Sequence, residues 1–556
     1  MALGSIPDTA PAIDAASRPQ VNPTTRLAAL DVGSNSIRLI VTEARSDGAY
    51  RLLDDEKEVG RLGRGLAKSN RLANKAMESA ALAIARMKEI ARGYGVQQLR
   101  AVATAAVREA DNRDEFLRLV RQQAGIELEV ISAEEEARLA HLSVMHAFDL
   151  RGIAAAVVDI GGGSTEIVLS SGGVVEQVYT LPLGAVRLTE MFEGVEDGAE
   201  QPFEELNEHL RSVIKSLVGK PPFRPQLAVG TGGTFTTLAA VALHRAGSAS
   251  EDDEGGTVRG YELQRSAVHH LLNWLRSMSP KARSRLPGMP TERAEIIVAG
   301  VAIIDAVMQR LKVNTLRVHD RGIRDGLILS MIREIYPQAG PVIGRPLERM
   351  QAVRQFARRC NYEQAHSDHV ARLAVQAFDQ IAGQLGPEAV GGKSGAAREL
   401  LEAAGVLHDV GYYINYAKHH KHSYHLIVHS DLTGFTHREI EIVANVARYH
   451  RRGGPKNKHA NFAKLAPGDQ NLVMRLSAIL RIVDGLDRAH AQNVRYVRVE
   501  LKKNTAWFIV DAEHEPTVDI WGAARKSALF LKAFGLEPRF DWTGSQPLLP
   551  ALAEHT

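Results

Sequence analysis

The 556-residue sequence has a single cysteine, Cys360. An internal disulfide and any cysteine-based zinc cluster are therefore excluded, and a reducing, cytoplasmic compartment is expected. No apolar run approaches the roughly 18–20 residues that a helix needs to span a bilayer, so no membrane segment is expected. The opening MALGSIPDTAPAIDAASRPQVNP lacks the basic start and apolar core of a secretory signal. Residues 1–25 read instead as a disordered tail rich in Ala, Pro and Ser. Net charge is only +3, so the molecule is not a polycation. A polyanionic partner would need a local basic groove. No motif for specific nucleic-acid recognition is visible.

What is present is a long chain of ordinary globular composition, enough for about three or four domains. RLAALDVGSNSIRLIVTEA reads as strand, tight polar loop, strand. Helical periodicity runs from Asn74 to Gly93, and LRAVATAAVREA reads as strand then loop. Near residue 154 the pattern restarts with AAAVVDIGGGSTEIVL, again strand, loop, strand. Two related lobes facing a cleft are expected, over residues 26–150 and 151–340. Twelve of the 21 histidines fall between His366 and His490, which marks a separate, mostly helical domain at 345–493. YVRVEL and WFIVDA read as strands and Trp521–Phe534 as a helix, a small α+β appendage at 494–556. HRAGSASEDDEGGTVRG and GQLGPEAVGGKSGAAREL read as loops.

Three loops carry the chemistry. In the first, Gly33 permits a close turn, and Ser34, Asn35 and Ser36 offer donors to an anion. In Asp159-Ile-Gly-Gly-Gly-Ser-Thr-Glu166, three consecutive glycines cost chain entropy without a packing gain, which suits backbone that touches a ligand. Asp159 and Glu166 flank them and suit Mg²⁺ or Mn²⁺. The third, AVGTGGTF, ends a strand and opens a helix, so the N–H groups of Gly232, Gly233 and Thr234 would face an anion. In ISAEEEARL, Ser132 and Glu135 form a capping-box pattern and Glu134 suits the first turn. Spacing alone leaves Glu135 and Glu136 open as a general base.

LDVGSNSIRL, ATAAVREA, ISAEEEARL, VVDIGGGSTE, VGTGGT and HDRGIRDGLI resemble, in order and spacing, the exopolyphosphatase / guanosine pentaphosphate phosphohydrolase (Ppx/GppA) family. The resemblance covers about residues 26–335 and extends into the helical region. It implies an actin-like α/β fold of two ribonuclease-H-like lobes. By position it implies Glu136 as the base, Asp159 and Glu166 as the Mg²⁺-associated acids, and Ser34, Asn35 and Arg108 as phosphate contacts. Gly161, Gly162, Gly163 and Ser164 match the second phosphate loop, and Gly230 through Thr234 the third. The implied activity is exopolyphosphatase, releasing terminal phosphate from inorganic polyphosphate. A pppGpp 5′-phosphohydrolase, a polyphosphate:nucleoside-diphosphate phosphotransferase and a (p)ppGpp-binding regulator are the alternatives on this fold. A homodimer is a family expectation. Arg61, Arg64, Arg451, Arg452, Lys456 and Lys458 are candidates for holding a long polyanion.

In the helical region, His366, the His408-Asp409 pair and Asp484 resemble the metal-binding pattern of HD-type phosphohydrolases, which implies an additional divalent metal. His422 and His450 are candidate further ligands, and His419, His420, His425 and His429 read as surface or core-edge residues.

Overall fold

The computed structural model describes residues 24–46, 48–150, 152–246, 258–337, 349–390, 394–430 and 432–544. Most of the expected tail and of the HRAGSASEDDEGGTVRG loop lies outside them, although Thr24 and Thr25 already belong to the first strand.

The first sheet holds β1 (Thr24–Val32), β2 (Ile37–Arg45), β3 (Tyr50–Glu58), β4 (Gln98–Ala103) and β5 (Glu129–Val130), in the order β3-β2-β1-β4-β5. The second holds β6 (Ala154–Ile160), β7 (Thr165–Ser171), β8 (Val174–Leu181), β9 (Leu227–Thr231), β10 (Glu262–Gln264) and β11 (Thr315–Val318), in the order β10-β11-β9-β6-β7-β8. Matching β3-β2-β1-β4-β5 with β8-β7-β6-β9-β11 superimposes the two plans. Each has an antiparallel meander whose first strand pairs in parallel with the next. This is the actin-like pair of lobes. β1 and β6 are central and covered on both faces, which is why Leu27–Leu30 and Ala155–Val158 are near-continuous apolar runs.

The crossover helix Asn74–Gly93 matches its expected bounds and buries Met77, Ala80, Ala81, Ile84 and Met87 on one face. After β4 the expected loop is a short helix, Ala105–Glu109. The helix Ile323–Ile335 falls in the stretch expected to form the second lobe, yet it packs on the first sheet. Leu327, Ile328 and Ile332 share one core with Leu27, Ala29, Ile40 and Leu139. Gly326 makes this possible, because a Cβ there would collide with the carbonyl of Leu139.

The helical region and the third sheet share one continuous core, in which Phe508 and Phe530 pack with Ile479 and Val483. That sheet has three strands, β12 (Val494–Lys502), β13 (Thr505–Ala512) and β14 (Glu537–Trp542), where two were expected. The expected helix is two, Thr517–Lys526 and Ala528–Phe534. The joint is a ladder of glutamines one helical turn apart. Gln380 donates to Val497 O at 2.8 Å and accepts from Val499 N at 2.9 Å, while Gln384 does the same with Val499 O and Leu501 N. These side chains satisfy the edge of β12 that no strand covers. The expected loop at 383–400 is shorter, since a turn at Pro387–Val390 and a helix from Ser394 take up most of it. Among the described residues no helix is long and apolar enough to cross a membrane.

Candidate functional site

Two equivalent hairpins build the cleft between the lobes. β1 and β2 pair Asp31 with Arg38, and β6 and β7 pair Asp159 with Glu166. Each connection closes the same way: Gly33 N donates to Ser36 O at 3.1 Å, and Gly161 N to Ser164 O at 3.0 Å. Directly opposed residues of an antiparallel pair point to the same face. Each hairpin thus projects two ionisable groups together.

The three glycines have a packing reason as well as an expected ligand. A Cβ on Gly162 would meet Ser34 Cβ at 3.0 Å, and one on Gly163 would meet Ala105 Cβ at 3.2 Å. Their absence lets the loops of the two lobes touch. Gly232 has φ 94°, a conformation side chains rarely adopt, and a Cβ there would press on Asp159 Oδ1 at 2.8 Å.

The resulting cleft, about 140 Å³, is lined by Ser34, Asn35, Gly161, Gly162, Gly163 and Ser164, with Gly232, Gly233, Glu136 and Asp159 completing the expected set there. Gly230 and Thr234 do not line it. Gly230 is a β9 residue whose missing Cβ makes room for the Phe235 ring, and Thr234 is buried against Gly300. Glu166 is buried behind the lining, 1% exposed, and neither of its oxygens has a hydrogen-bond partner. Asp31 Oδ1 is likewise buried and unpartnered. Acids left in that state suit a hard divalent cation, so Asp31 and Glu166, with Asp159 lining the cleft beside them, fit Mg²⁺.

Ser132 caps the helix Ala133–Ala147 by accepting from Glu135 N at 3.1 Å, one half of the expected box. Its neighbours on the first turn stay outside, whereas Glu136 is 5% exposed and faces the cleft. Arg108 Nη1 donates to Glu136 Oε2 and to Ile131 O, both at 3.0 Å. Arg108 is not among the residues that line the cleft; it binds Glu136, and its charge also acts on Glu166. Burial pushes the Glu136 carboxyl up to about 8. Arg108 works against that rise, and the charges of Asp159 and Asp31 add to it. Burial raises Asp31 to about 6 against the pull of Arg324 and Arg38, and raises Asp159. Glu166 is held well above the usual carboxylate range by burial, then by Glu136 and Asp159.

Several cleft residues carried no expected role. Arg38, Arg293, Arg321 and Arg324 line it with Asp31, Thr104 and Asp320. The guanidinium of Arg293 lies against Gly233, and burial together with the charge of Arg38 lowers its pKa to about 10. Burial would raise Asp320, but Arg259 and His319 hold it well below the carboxylate range. The signal for the last group was the HDRGIRDGLI motif, and for Arg38 the charge closing LDVGSNSIRL. Of the expected polyanion contacts, Arg61 and Arg64 line an adjoining groove of about 550 Å³ that opens beside Asn35. Glu190, Glu193, Glu196, Glu292 and Glu295 line it too. Arg451, Arg452, Lys456 and Lys458 line neither the cleft nor that groove.

In the helical region, His366, His408, Asp409 and Asp484 come together, all buried. His450 joins them as expected, and so does His419, which is 1% exposed rather than at the surface. His422 lies outside the cluster, and His425 and His429 are exposed. His420 is buried.

Comparison with known proteins agrees with this architecture. The Ppx/GppA phosphatase family profile matches residues 40–335, and the profile of Ppx/GppA phosphatase, domain III matches residues 349–516. A family member from Aquifex aeolicus is 31% identical over 56% of this chain and 99% of its own, with a TM-score of 0.49. An exopolyphosphatase-like protein of known structure is 25% identical over 56% of this chain and 99% of its own, with a TM-score of 0.51. An exopolyphosphatase from Cytophaga hutchinsonii shares the fold at 24% identity, covering 56% of this chain and 98% of its own, with a TM-score of 0.52. With the paired hairpins, the glycine loops and both profiles in agreement, the chain belongs to the Ppx/GppA phosphatase family.

Proposed function

We propose that this protein is an exopolyphosphatase, which hydrolyses the terminal phosphoanhydride of inorganic polyphosphate in the cleft between its lobes. The observation that carries the reading is Glu136, a buried carboxylate raised to about 8 beside two phosphate-sized loops and tied to Arg108. A base of that strength can take a proton from water near neutral pH. The water oxygen forms a bond to the terminal phosphorus as the bridging P–O bond breaks. The proton passes to Glu136, and orthophosphate leaves a chain shorter by one unit.

The backbone N–H groups of Gly161–Gly163 and Gly233, with Ser34 and Asn35, would orient the phosphoryl oxygens. Arg38 and Arg293 would answer the negative charge that builds on them. Arg108 sets the position and proton affinity of Glu136. Asp159 and Glu166 would hold Mg²⁺ or Mn²⁺, which supplies charge neutralisation at the phosphate.

One observation favours a shorter substrate, pppGpp. Five glutamates line the groove beside Asn35, a poor track for a long polyanion. Mg²⁺-dependent phosphate release from long-chain polyphosphate and from pppGpp, measured side by side with Glu136→Gln as control, tests both readings. Fast release from polyphosphate that disappears in the variant supports the exopolyphosphatase. Release from pppGpp alone assigns the second reading, and release from neither removes both.

A further inference from the structure

Two stretches of the helical region, residues 410–430 and 445–468, contain no aspartate or glutamate and hold eight lysines and arginines between them. The fold brings the two stretches together. Arg451 Nη1 lies 3.2 Å from His419 Nε2, and the Arg448 guanidinium stands 5.4 Å from the centre of the Tyr424 ring. Among the described residues only Lys464 of the eight has a carboxylate partner, Glu441 at 2.8 Å. Lys418, Lys421, Arg452, Lys456 and Lys458 are exposed. Burial lowers the His420 imidazole to about 4, and the charges of His419, Arg451, Arg448 and Arg452 lower it further. Burial also lowers His459, and Arg448, Lys458, Lys456 and Lys421 add to the effect. Arg448 belongs to both sets, so the cations form one continuous field.

At the edge of that field the chain exposes aromatic rings. Tyr412, Tyr413, Ile414 and Tyr416 are 37%, 64%, 52% and 69% exposed. Elsewhere among the described residues, exposed large apolar side chains stand singly or as sequence-neighbour pairs. A cluster of this kind marks a contact surface. The Tyr412 and Tyr416 rings are stacked, with centroids 5.6 Å apart and planes 16° from parallel. Tyr412 also lies 4.1 Å from the His419 ring, which Arg451 contacts. The rings and the cations therefore share one face.

Flat π surfaces beside unpaired cations suit a partner that carries rings on an anionic backbone. Inorganic polyphosphate has the charge without the rings. A second copy of this chain, laid on the same face about a two-fold axis, would set the cations against their own equivalents. We propose that this face binds single-stranded nucleic acid, with bases stacked on Tyr413 and Tyr416 and the phosphodiester backbone held by Arg452, Lys456 and Lys458. The contact tolerates any sequence, because every base has a π-face. It is separate from phosphate release, since none of these residues lines the cleft.

The test is fluorescence anisotropy of labelled oligouridylate and oligothymidylate, each of about 12 nucleotides, titrated with the full-length chain. The oligonucleotides lack terminal phosphates, so the cleft has no chain end to hold. Saturable binding of at least one of them is expected. A Tyr413→Ala/Tyr416→Ala double variant should bind it about 10–100-fold more weakly, while its affinity for inorganic polyphosphate of matched length moves by less than about twofold. An Arg452→Glu/Lys456→Glu variant should weaken both ligands and flatten the salt dependence. Circular dichroism on each variant establishes that it is folded. No saturable binding of either oligonucleotide by the unaltered chain, up to about 100 μM protein in about 100 mM salt, overturns the proposal without any variant. Undiminished binding by the folded tyrosine variant overturns the stacking. Equal loss of oligonucleotide and polyphosphate in that variant overturns nucleic acid as the ligand. A change of oligomeric state in it, read by light scattering, shows that a second copy covers the face and overturns the proposal as well.

Discussion

The two hairpins that face each other across the cleft have one backbone plan and opposite chemistry. Asp31 and Asp159 end equivalent strands, and each loop closes with the same glycine-to-serine hydrogen bond. The cross-strand partner differs: Arg38 in the first hairpin, Glu166 in the second. In the first, Arg324 and Arg38 restrain the rise of Asp31 to about 6. In the second, burial and the charges of Glu136 and Asp159 drive Glu166 well above the carboxylate range, and Arg108 offsets them only in part. A duplicated scaffold has thus given one side cationic character that suits phosphate oxygens, and the other an acid pair that suits a metal. Glu136 feels both sides, since Asp159 and Asp31 each raise its proton affinity.

The most severe test of this division is Glu136→Gln. Removing the base should cut phosphate release by roughly 10²–10⁴-fold while leaving both hairpins folded. Release close to that of the unaltered enzyme would end the assignment. Next is the exchanged position itself. Glu166→Gln should raise the Mg²⁺ concentration for half-maximal rate by about 10–100-fold, whereas Arg38→Gln should raise KM for substrate by a similar factor at unchanged Mg²⁺ dependence. If both variants shift the same parameter, the hairpins do not divide the work. Gly326→Ala drives a methyl into the Leu139 carbonyl where the last helix meets the first sheet. It should cost about 1–3 kcal/mol in thermal or denaturant unfolding, with the Mg²⁺ dependence of the remaining folded enzyme unaltered.

The smallest expected effect is a shift in pH profile. The Glu136 carboxyl is raised in the folded protein, so the folded state holds a proton that the unfolded chain has released between its ordinary pKa and about 8. Stability contributed by this group is therefore lost as pH rises through that window, and Glu136→Gln should remove the slope. Activity runs the other way and rises as Glu136 deprotonates. Arg108 lowers the Glu136 pKa, so Arg108→Ala should move the midpoint of the rate profile upward by about one pH unit. An unmoved midpoint would mean that a different group titrates.

Much of the cleft was legible before any coordinates. Asp-x-Gly at the end of an apolar strand, twice, announced the paired hairpins, and the glycine run announced a close approach. Part of that approach turned out to be between the loops themselves, at Ser34 and Ala105. Gly230 shows the limit of motif reading: it sits in the expected loop, yet its small size serves the Phe235 ring. His419 shows the opposite error. It lies in a polar run that reads as surface, and the fold buries it against His450. The glutamine ladder on β12 escaped notice because glutamines one turn apart read as an ordinary solvated helix face.

The sequence determined the local plan of this protein: two strand–loop–strand units with acids at their ends, a capped helix carrying three glutamates, and a histidine-rich helical segment. Those features follow from short-range periodicity and from backbone preferences that neighbours in the chain impose. Only the tertiary structure decided which glutamate is buried, that Arg38 stands where the other lobe has Glu166, and that His419 joins the buried histidines around Asp409. Burial and proton affinity depend on groups distant in the chain, and folding alone brings those groups within a few ångströms of one another.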